Sequence, residues 1–507
     1  MSTWASLARR LANRAAEAVR PALDAGRDAL DPDTLLQSAM TGLIALARHD
    51  WPTQRGLRWR TGEPLRLLFA GYAGTRNTGA DVRVEEMIRQ FRHVLGAENV
   101  ELSILTFDPS LTRGYFRATH QIEAPVVFPK FLYDTIRDQH GVIACEGSMF
   151  KSKFSSALTT FMVGAYGLAV AGDKLAVAYG GEAGAMTPSL ERFVEANCQQ
   201  GLILCRNEAS RTVLARLGVK SRGGTDTAWT YDPGATPEAE AVLRAAGWDG
   251  TSPIAAFAPI NPYWWPVRPD LGKAVARAAL GLHDGAHYRS IYFHHEGDEV
   301  DERQAVYLDK MASAARRWRA ESGAFIVAIG MEQLDRAACE GFAERVGDVP
   351  VICSDAHELQ TMVGVLHRCQ WLVASRYHAL VTSMMAGVAP VGVTMDERIR
   401  NLMDDRGSPE RCLGVDDEDL SERVVGELQA ATRDLPGERL RSERTVVRNL
   451  REMGRMGQRL AEYVVDQLPD FPLPPGRGTA GDPWDHLPPM SARLAAMVER
   501  HRAEGVA

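Results

Sequence analysis

A chain of 507 residues is too long for one hydrophobic core, because single cores stop growing at roughly 250 to 300 residues. We therefore expect two domains with appendages. The composition is 45% hydrophobic and 24% charged with a net charge of −7, which is ordinary for a soluble globular protein. This mildly acidic balance argues against a nucleic-acid partner, which would require clustered Lys and Arg.

The cysteines and the apolar segments indicate a cytoplasmic protein. None of the seven cysteines has a partner at C-x-x-C spacing, a pattern that favours reduced, buried thiols over a disulfide framework or a zinc site. The N-terminus has no apolar run of signal-peptide length, and the run Met40–Ala47 is far shorter than the roughly 20 residues that span a bilayer.

Residues 1–60 are expected to form a helical N-terminal extension. Apolar residues recur there at helical spacing, and basic residues occupy other positions of the helix. The apolar set is Trp4, Leu7, Leu11, Ala15 and Val19, and the basic set is Arg9, Arg10 and Arg14. Two interpretations stay open: a helix packed on the body or on a second subunit of a homo-oligomer, or an amphipathic helix on the inner face of the membrane.

Residues 61–235 have the alternating pattern of a first Rossmann-like domain. Short apolar runs that predict strands of a buried parallel sheet alternate with helical segments. The predicted strands are 64–69, 100–105, 141–145, 174–179 and 201–205. The helices include 81–95 and 210–217, the latter closed by Gly218.

A polar connection over 232–250, with one short helix at 237–246, leads to a second domain at 250–418. Its predicted strands are 254–258, 291–293, 324–329, 349–352, 371–374 and 389–393. The fold class is therefore α/β, with two Rossmann-like doubly wound domains that face a cleft. A ligand is expected to bind in that cleft.

Residues 419–507 are expected to form a C-terminal extension. The segment is helical to about residue 465 and then Pro-rich over Leu468–Pro475, where proline favours extended chain. We expect this tail to wrap the body, and a partner-binding motif is the alternative.

The segment Gly71–Asp81 leaves a strand and opens a helix. Its glycines allow the backbone to approach a ligand while the helix amides face that ligand. The pattern is neither G-x-G-x-x-G nor a P-loop. A purely structural turn capped by Asp81 explains it equally well.

Two other segments follow strands of the first domain and are candidates for the cleft. Arg206 comes directly after the last predicted strand, where its guanidinium would bind a carboxylate or phosphate or form an ion pair within its own loop. Glu146 follows the strand at 141–145 and would either accept a proton from a sugar hydroxyl or cap a helix.

The most informative segment is Ser375-Arg376-Tyr377-His378, between a buried strand and a helix of small and apolar residues. Polar groups thus lie where the carboxyl end of a strand meets the amino end of a helix. Arg376 supplies permanent positive charge, and His378 exchanges protons near neutral pH. We expect this segment to be the anion-handling centre, with Ser375 among its binding residues.

The strand that ends at His294-His295-Glu296 raises the question of a metal. Adjacent residues on a strand point to opposite faces, so both histidines cannot face one ion. We therefore expect no metal site, and His294 is kept as a candidate substrate-binding residue.

These segments together resemble the polysaccharide pyruvyltransferase family over residues 65 to about 405. The family's loop G-x-x-G-x-x-N-x-G-D is matched by Gly71, Gly74, Asn77, Gly79 and Asp81, with Ala80 inserted before the acid. Its R-[DN]-x-x-S element is matched by Arg206, Asn207 and Ser210, and its R-x-H signature by Arg376 and His378. The G-x-P strand and the turn that follow the signature correspond to Gly387, Pro390, Met395 and Asp396, with two residues, Val388 and Ala389, between the glycine and the proline.

The resemblance implies a GT-B-like fold and transfer of a pyruvyl group from phosphoenolpyruvate to a sugar of a cell-surface polysaccharide precursor, giving a cyclic ketal. It implies no metal or redox cofactor. Arg206 and Arg376 would anchor the donor, with Asn77, Gly79 and Asp81 also in its site. His378 would be the acid or proton shuttle.

The chain departs from the family at Glu146-Gly147-Ser148, where a run of glycines is usual, and this puts the sugar end of the site in doubt. A nucleotide-sugar glycosyltransferase of the same fold and a non-catalytic scaffold protein are the rival interpretations. Trp264 and Trp265 either stack on a sugar ring or belong to the core.

Overall fold

The computed structural model describes residues 31–53, 58–112, 114–116, 119–289, 291–478 and 481–503. The predicted helix through Trp4 and Val19 lies outside these residues. The strands are β1 Leu65–Ala70, β2 Val100–Thr106, β3 His120–Glu123, β4 Gly141–Ala144, β5 Leu175–Gly181, β6 Leu202–Cys205, β7 Arg222–Gly223, β8 Ile254–Ala258, β9 Arg268–Pro269, β10 His287–Arg289, β11 Tyr292–Phe293, β12 Phe325–Gly330, β13 Val351–Cys353, β14 Trp371–Ala374, β15 Ala389–Thr394 and β16 Cys412–Gly414.

Helices follow most of these strands. They are α1 Pro32–Asp50, α2 Thr78–Leu95, α3 Pro129–Arg137, α4 Ser156–Ala171, α5 Pro188–Asn197, α6 Glu208–Arg216, α7 Pro237–Ala245, α8 Leu271–Leu280, α9 Asp298–Ser322, α10 Arg336–Val346, α11 Leu359–His367, α12 Tyr377–Met384, α13 Glu397–Arg406, α14 Leu420–Arg433, α15 Leu435–Gln467 and α16 Ala492–Ala503.

Within the described residues, β1 to β7 form a parallel sheet in the order β3-β2-β1-β4-β5-β6-β7. A second parallel sheet has the order β13-β12-β8-β14-β15-β16. When the strands of each sheet are numbered separately in chain order, both sheets have the Rossmann order 3-2-1-4-5-6, and the first sheet adds a seventh strand at its edge. In this order, ligands bind where the strand order reverses. The predicted fold class is confirmed: two doubly wound α/β domains with helical segments at both ends.

The sheets are buried on both faces, and their central strands are therefore almost wholly apolar. In β1, β4 and β14 every residue except Arg66 is buried. A run of apolar residues without alternation is what two covering layers of helices require. This is why the sequence located these strands to within one or two residues.

Three predictions about the fold are corrected. The helix expected over 81–95 begins at Thr78, and its cap is Asn77, whose side chain accepts a hydrogen bond from the Ala80 amide at 3.1 Å. Asp81 is therefore not the cap. The strand expected at 291–293 is not part of the second parallel sheet, because β11 pairs antiparallel with β10 and β9 in a small separate sheet.

The chain returns to the first domain near its end. Helix α14 packs against α9 in the second domain, and α15 then crosses to pack on α2. The extended tail that follows is fixed to the body by side chains of the first domain. The amides of Gln90 and Asn99 donate to the carbonyls of His486 and Pro472 at 3.1 and 2.7 Å.

Candidate active site in the interdomain cleft

The carboxyl ends of the two sheets face each other across the cleft. The loops after β1 and β4 approach it from the first domain, and the segment after β14 approaches it from the second. The two domains touch there, since the Thr78 amide at the start of α2 donates to the Met331 carbonyl after β12 at 2.9 Å. The predicted segments therefore meet where each strand order reverses.

Arg206 lies in a sealed ion-pair cluster of the first domain. Its guanidinium contacts Glu182 and lies 3.2 Å from Asp226, and its side chain is 3% exposed. Its guanidinium carbon is 4.1 Å from the centroid of the Tyr377 ring. We had expected Arg206 at the mouth of the cleft, but here it is buried and already paired with carboxylates.

Asp226 is the centre of this cluster. One carboxylate oxygen lies 3.3 Å from Arg83 Nε and 3.2 Å from Arg206, and the other accepts from the Ala228 amide at 2.9 Å. Burial works to raise the pKa of Asp226, but His378, Arg83 and Arg206 outweigh it and hold the pKa well below its usual value. Asp226 therefore stays ionised.

His378 joins the second domain to this cluster. Its Nε2 lies 3.3 Å from the Asp226 carboxylate, and its side chain is 15% exposed. The other face of the ring packs on Gly79 so closely that a Cβ at that position would lie 2.4 Å from Nδ1. Only glycine fits at position 79 without a shift of the His378 side chain, and Asp226 fixes the orientation of the ring.

Arg376 lies in a second cluster, on the other domain. Its Nε is 2.9 Å from Asp335, and a terminal nitrogen is 3.0 Å from Glu332. Its side chain is 18% exposed. Glu332 also accepts from the Tyr72 hydroxyl at 2.6 Å and from the Asn77 amide at 2.9 Å, so this cluster spans the cleft.

The carboxyl groups of the second cluster differ from Asp226 in the direction of their pKa shifts. Burial raises the pKa of Glu332 and of Asp335, and Arg376 offsets this only in part. Glu332 therefore combines a position in the cleft with a carboxyl that holds its proton more readily than an exposed one. These are the properties of a group that exchanges protons.

Lys151 extends the charge network beneath the cleft. Its ammonium is fully buried, 2.8 Å from Glu397 and 3.8 Å from Glu182. Arg398, on the same side, lies 2.8 Å from Asp396. Buried charges of this kind are stable only when paired, and the cations of the cleft are thus largely balanced by carboxylates.

A cavity of about 250 Å³ opens beside these clusters. Polar side chains from both domains border it, and they include three predicted residues: Asn77, Glu146 and Arg376. Glu146 Oε1 accepts from the Ser148 amide at 3.3 Å, whereas its Oε2 is buried and has no hydrogen-bond partner among the described residues. Such an oxygen can accept a hydrogen bond from a substrate hydroxyl.

The other predicted residues do not border this cavity. The hydroxyl of Ser375 pairs with Tyr307 at 2.9 Å in the second domain. Asp81 is fully buried, accepts from the Gly74 amide at 3.1 Å, and has a pKa raised to about 8 by burial. The hydrogen bonds of Ser375 and Asp81 therefore stabilise their loops inside the protein.

His294, predicted as a substrate-binding residue, is buried beside the cavity and is not among the residues that border it. It is 2% exposed, and its ring packs against Trp264, Trp265 and Tyr288 at centroid distances of 4.7, 5.1 and 5.3 Å. Burial lowers its pKa to about 4. Both tryptophans pack on His294, and Trp265 also borders the cavity.

Sequence reasoning missed Glu332, Asp335, Asp226, Lys151 and Tyr72. Glu332 and Asp335 follow β12, and the rule that polar groups after parallel strands meet at one edge would have found them. Tyr72 stands within the glycine loop that the sequence singled out. Asp226 and Lys151 lie in segments without a recognisable pattern.

Among residues 31–53, 58–112, 114–116, 119–289, 291–478 and 481–503, His, Cys, Asp and Glu nowhere form a group of three or more that could hold a metal ion. Over the same ranges, every helix is too short or too polar to cross a bilayer.

No family model matches the chain, and no curated protein matches it. Solved structures resemble it in fold. UDP-GlcNAc 2-epimerase from Neisseria meningitidis, bound to UDP-GlcNAc, aligns at 11% identity over 79% of this chain and 100% of its own, with a TM-score of 0.47. A mutant O-GlcNAc transferase from Thermobaculum terrenum aligns at 12% identity over 85% and 74%, with a TM-score of 0.41.

A family 9 glycosyl transferase from Veillonella parvula aligns at 12% identity over 74% of this chain and 98% of its own, with a TM-score of 0.35. Likenesses this distant say nothing about the substrate or the reaction of this chain. The fold class is assigned from the strand orders of the two sheets. The proposed chemistry is argued from the residues of the cleft.

Proposed function

We propose that this protein is a transferase that joins a group from a phosphorylated donor to a hydroxyl of a sugar, and that the donor is phosphoenolpyruvate. The observation that carries the proposal is the contact between His378 and Asp226, at 3.3 Å across the cleft. A histidine oriented by a buried carboxylate is suited to general acid and base catalysis.

The reaction needs one proton delivered and two hydroxyls deprotonated. A sugar hydroxyl adds to C2 of the enol ester while C3 takes up a proton, and a second hydroxyl then closes the ketal as phosphate leaves. His378 is our candidate for the proton at C3. It does not border the cavity, so the donor would have to extend from Arg376 beyond the cavity lining to reach it. Glu146, with a buried carboxylate oxygen to which no described residue donates a hydrogen bond, is our candidate for accepting the proton of a hydroxyl.

The two arginines take different roles in this proposal. Arg376 borders the cavity and would bind the donor by exchanging a carboxylate partner for a donor oxygen. Arg206, at 3% exposure, would act as a positioning residue that holds Asp226 and, through it, His378.

The charge balance of the cleft favours a second candidate, glycosyl transfer from a nucleotide sugar. Phosphoenolpyruvate concentrates its negative charge in a small volume and needs an excess of cations around it. In the clusters described, Arg206, Arg376, Lys151 and Arg398 are each paired with carboxylates. A nucleotide sugar spreads its charge over a longer diphosphate and needs a smaller excess.

Thermal unfolding separates the two donors. Phosphoenolpyruvate at 100 times its Kd is expected to stabilise the protein by about 2.7 kcal/mol, and Arg376→Ala should abolish the shift. Stabilisation by UDP-, GDP- or CMP-sugars without any by phosphoenolpyruvate would overturn pyruvyl transfer in favour of the second candidate. Release of inorganic phosphate in the presence of a sugar acceptor then measures turnover.

A further inference from the structure

One wall of the cavity is a continuous belt of aromatic rings. Neighbouring rings touch in the order Phe128, Phe161, Phe107, Tyr72, Tyr288, Trp265 and Phe154, with centroid distances from 5.0 to 6.4 Å. All of these residues border the cavity. We call this set the aromatic belt.

Aliphatic side chains complete the same wall. Ala157, Leu158 and Val267 border the cavity beside the belt, and Val126 stands at its rim with 37% exposure. A hydroxyl placed against this surface would give up hydrogen bonds with water and gain few in return, at a cost of about 1–3 kcal/mol, and a charged phosphate would cost more. The belt therefore selects for an apolar group.

The polar border of the cavity adjoins this belt. The hydroxyl of Tyr72, a ring of the belt, donates to Glu332, which in turn pairs with Arg376. Tyr72 lies in the middle of the belt. At the Phe154 end, the guanidinium carbon of Arg398 lies 4.2 Å from the centroid of the Phe154 ring. A ligand that fills the cavity is thus amphiphilic, with its polar part at the charged clusters and its apolar part on the rings.

We propose that the acceptor is a glycoside with an apolar aglycone, an alkyl or aryl group, and that the aglycone binds on the aromatic belt. Its role as acceptor rests on the proposed function, whereas its binding does not. The cavity, at about 250 Å³, is somewhat smaller than the roughly 300–1,000 Å³ of typical small-molecule sites. We expect the aglycone to lie inside it on the belt, and the rest of the glycan to extend toward the charged clusters and solvent.

Isothermal titration with n-alkyl β-glucosides, from methyl to hexyl and below any micelle concentration, tests the proposal on the full chain. Each added methylene that reaches the belt should tighten Kd about fourfold, which corresponds to ~0.8 kcal/mol per methylene. A Kd that does not change with chain length would overturn the inference. This series needs no variant and is independent of any folding defect.

Two adjacent valines provide a matched pair of variants. Val126→Trp places a large ring at the rim and should abolish the dependence on chain length. Val127→Trp, at a position that is 75% exposed and does not border the cavity, should leave it unchanged. An unaltered dependence in Val126→Trp would locate the alkyl site elsewhere and overturn the inference.

Failure of this inference can be distinguished from failure of the proposed function. Binding of phosphoenolpyruvate without dependence on alkyl chain length would overturn the inference alone. A dependence on chain length that Val126→Trp removes, without stabilisation by any of the donors tested, would overturn the proposed function and support the belt as the site of an apolar ligand.

Discussion

Arg206 and Arg376 each follow the end of a strand, and each lies between carboxylates, but their surroundings differ. Arg206 is sealed, with 3% of its side chain exposed, whereas Arg376 is 18% exposed and borders the cavity. In the first cluster, burial works to raise the pKa values of Glu182 and Asp226, but the surrounding cations outweigh it and lower both pKa values. In the second, burial raises the pKa values of Glu332 and Asp335.

This difference shows which cluster can exchange partners with a substrate. The free-energy cost of desolvating a buried ion pair is offset only by the attraction between its two charges. Removing one member is therefore strongly destabilising. Carboxyls that take up protons readily can release their arginine to an anion at a smaller cost. We infer that the first cluster holds the geometry of His378 and that the second meets the substrate.

The largest effect is expected from Arg206→Ala. The change leaves Glu182 and Asp226 buried with one cation fewer, which should lower the free energy of unfolding by about 3–5 kcal/mol. Urea unfolding measures the loss. As a control, Arg211→Ala removes an arginine that is 39% exposed and paired with Glu208 on α6, and should change stability by less than about 0.5 kcal/mol.

Arg376→Ala should cost less, about 1–3 kcal/mol, because Glu332 and Asp335 can take up protons when the guanidinium is removed. The loss should therefore be smaller at pH 5 than at pH 8. Unfolding in urea at the two pH values measures it. A larger loss than that of Arg206→Ala at both pH values would show that the two clusters do not differ as described.

Gly79→Ala tests the contact between the domains. The new Cβ would lie 2.4 Å from Nδ1 and 2.5 Å from Cβ of His378, so rotation of the ring alone cannot relieve the clash. We expect a loss of about 1–3 kcal/mol. Gly42→Ala is the control, since nothing lies within 4 Å of its added Cβ in α1 and alanine in a helix gains about 0.5–1 kcal/mol. Thermal unfolding of the two variants compares them.

The sequence predicted most of the parallel strands because strands covered on both faces are continuous apolar runs. It missed β3, His120–Glu123, because a polar strand at the edge of a sheet lacks that signal. It also missed β7, which is too short to carry a pattern.

The sequence predicted the location of those site residues whose place in the fold follows from their position between a strand and a helix. Arg376 and His378 stand between a strand and a helix, and that position brought them to the cleft as expected. The burial of Arg206 depends on Glu182 and Asp226, which come from other segments, and the packing of His294 depends on the folding of the small antiparallel sheet. Tertiary contacts of this kind leave no trace in local sequence.

The smallest effect, and the one that most directly tests the difference between the clusters, concerns the pH dependence of Glu332. A carboxyl whose folded pKa lies above its unfolded value of 4.5 binds more protons in the folded state. Its contribution to stability is therefore present below pH 4.5 and is lost as the pH rises toward the folded pKa. Glu332→Gln cannot ionise, and the stability of this variant should fall less than that of the unmodified protein as the pH rises from 4.5.

The corresponding change in the first cluster should act in the opposite direction. Asp226 has a lowered pKa, so its contribution is present above its unfolded value of 3.8 and is lost as the pH falls. Asp226→Asn should therefore lose stability at neutral pH and flatten the acid limb of the curve of stability against pH. Equal slopes for the two variants would mean that the clusters share one electrostatic environment, and the assignment of Arg376 rather than Arg206 to the substrate would then lose its electrostatic argument and rest on exposure and position alone.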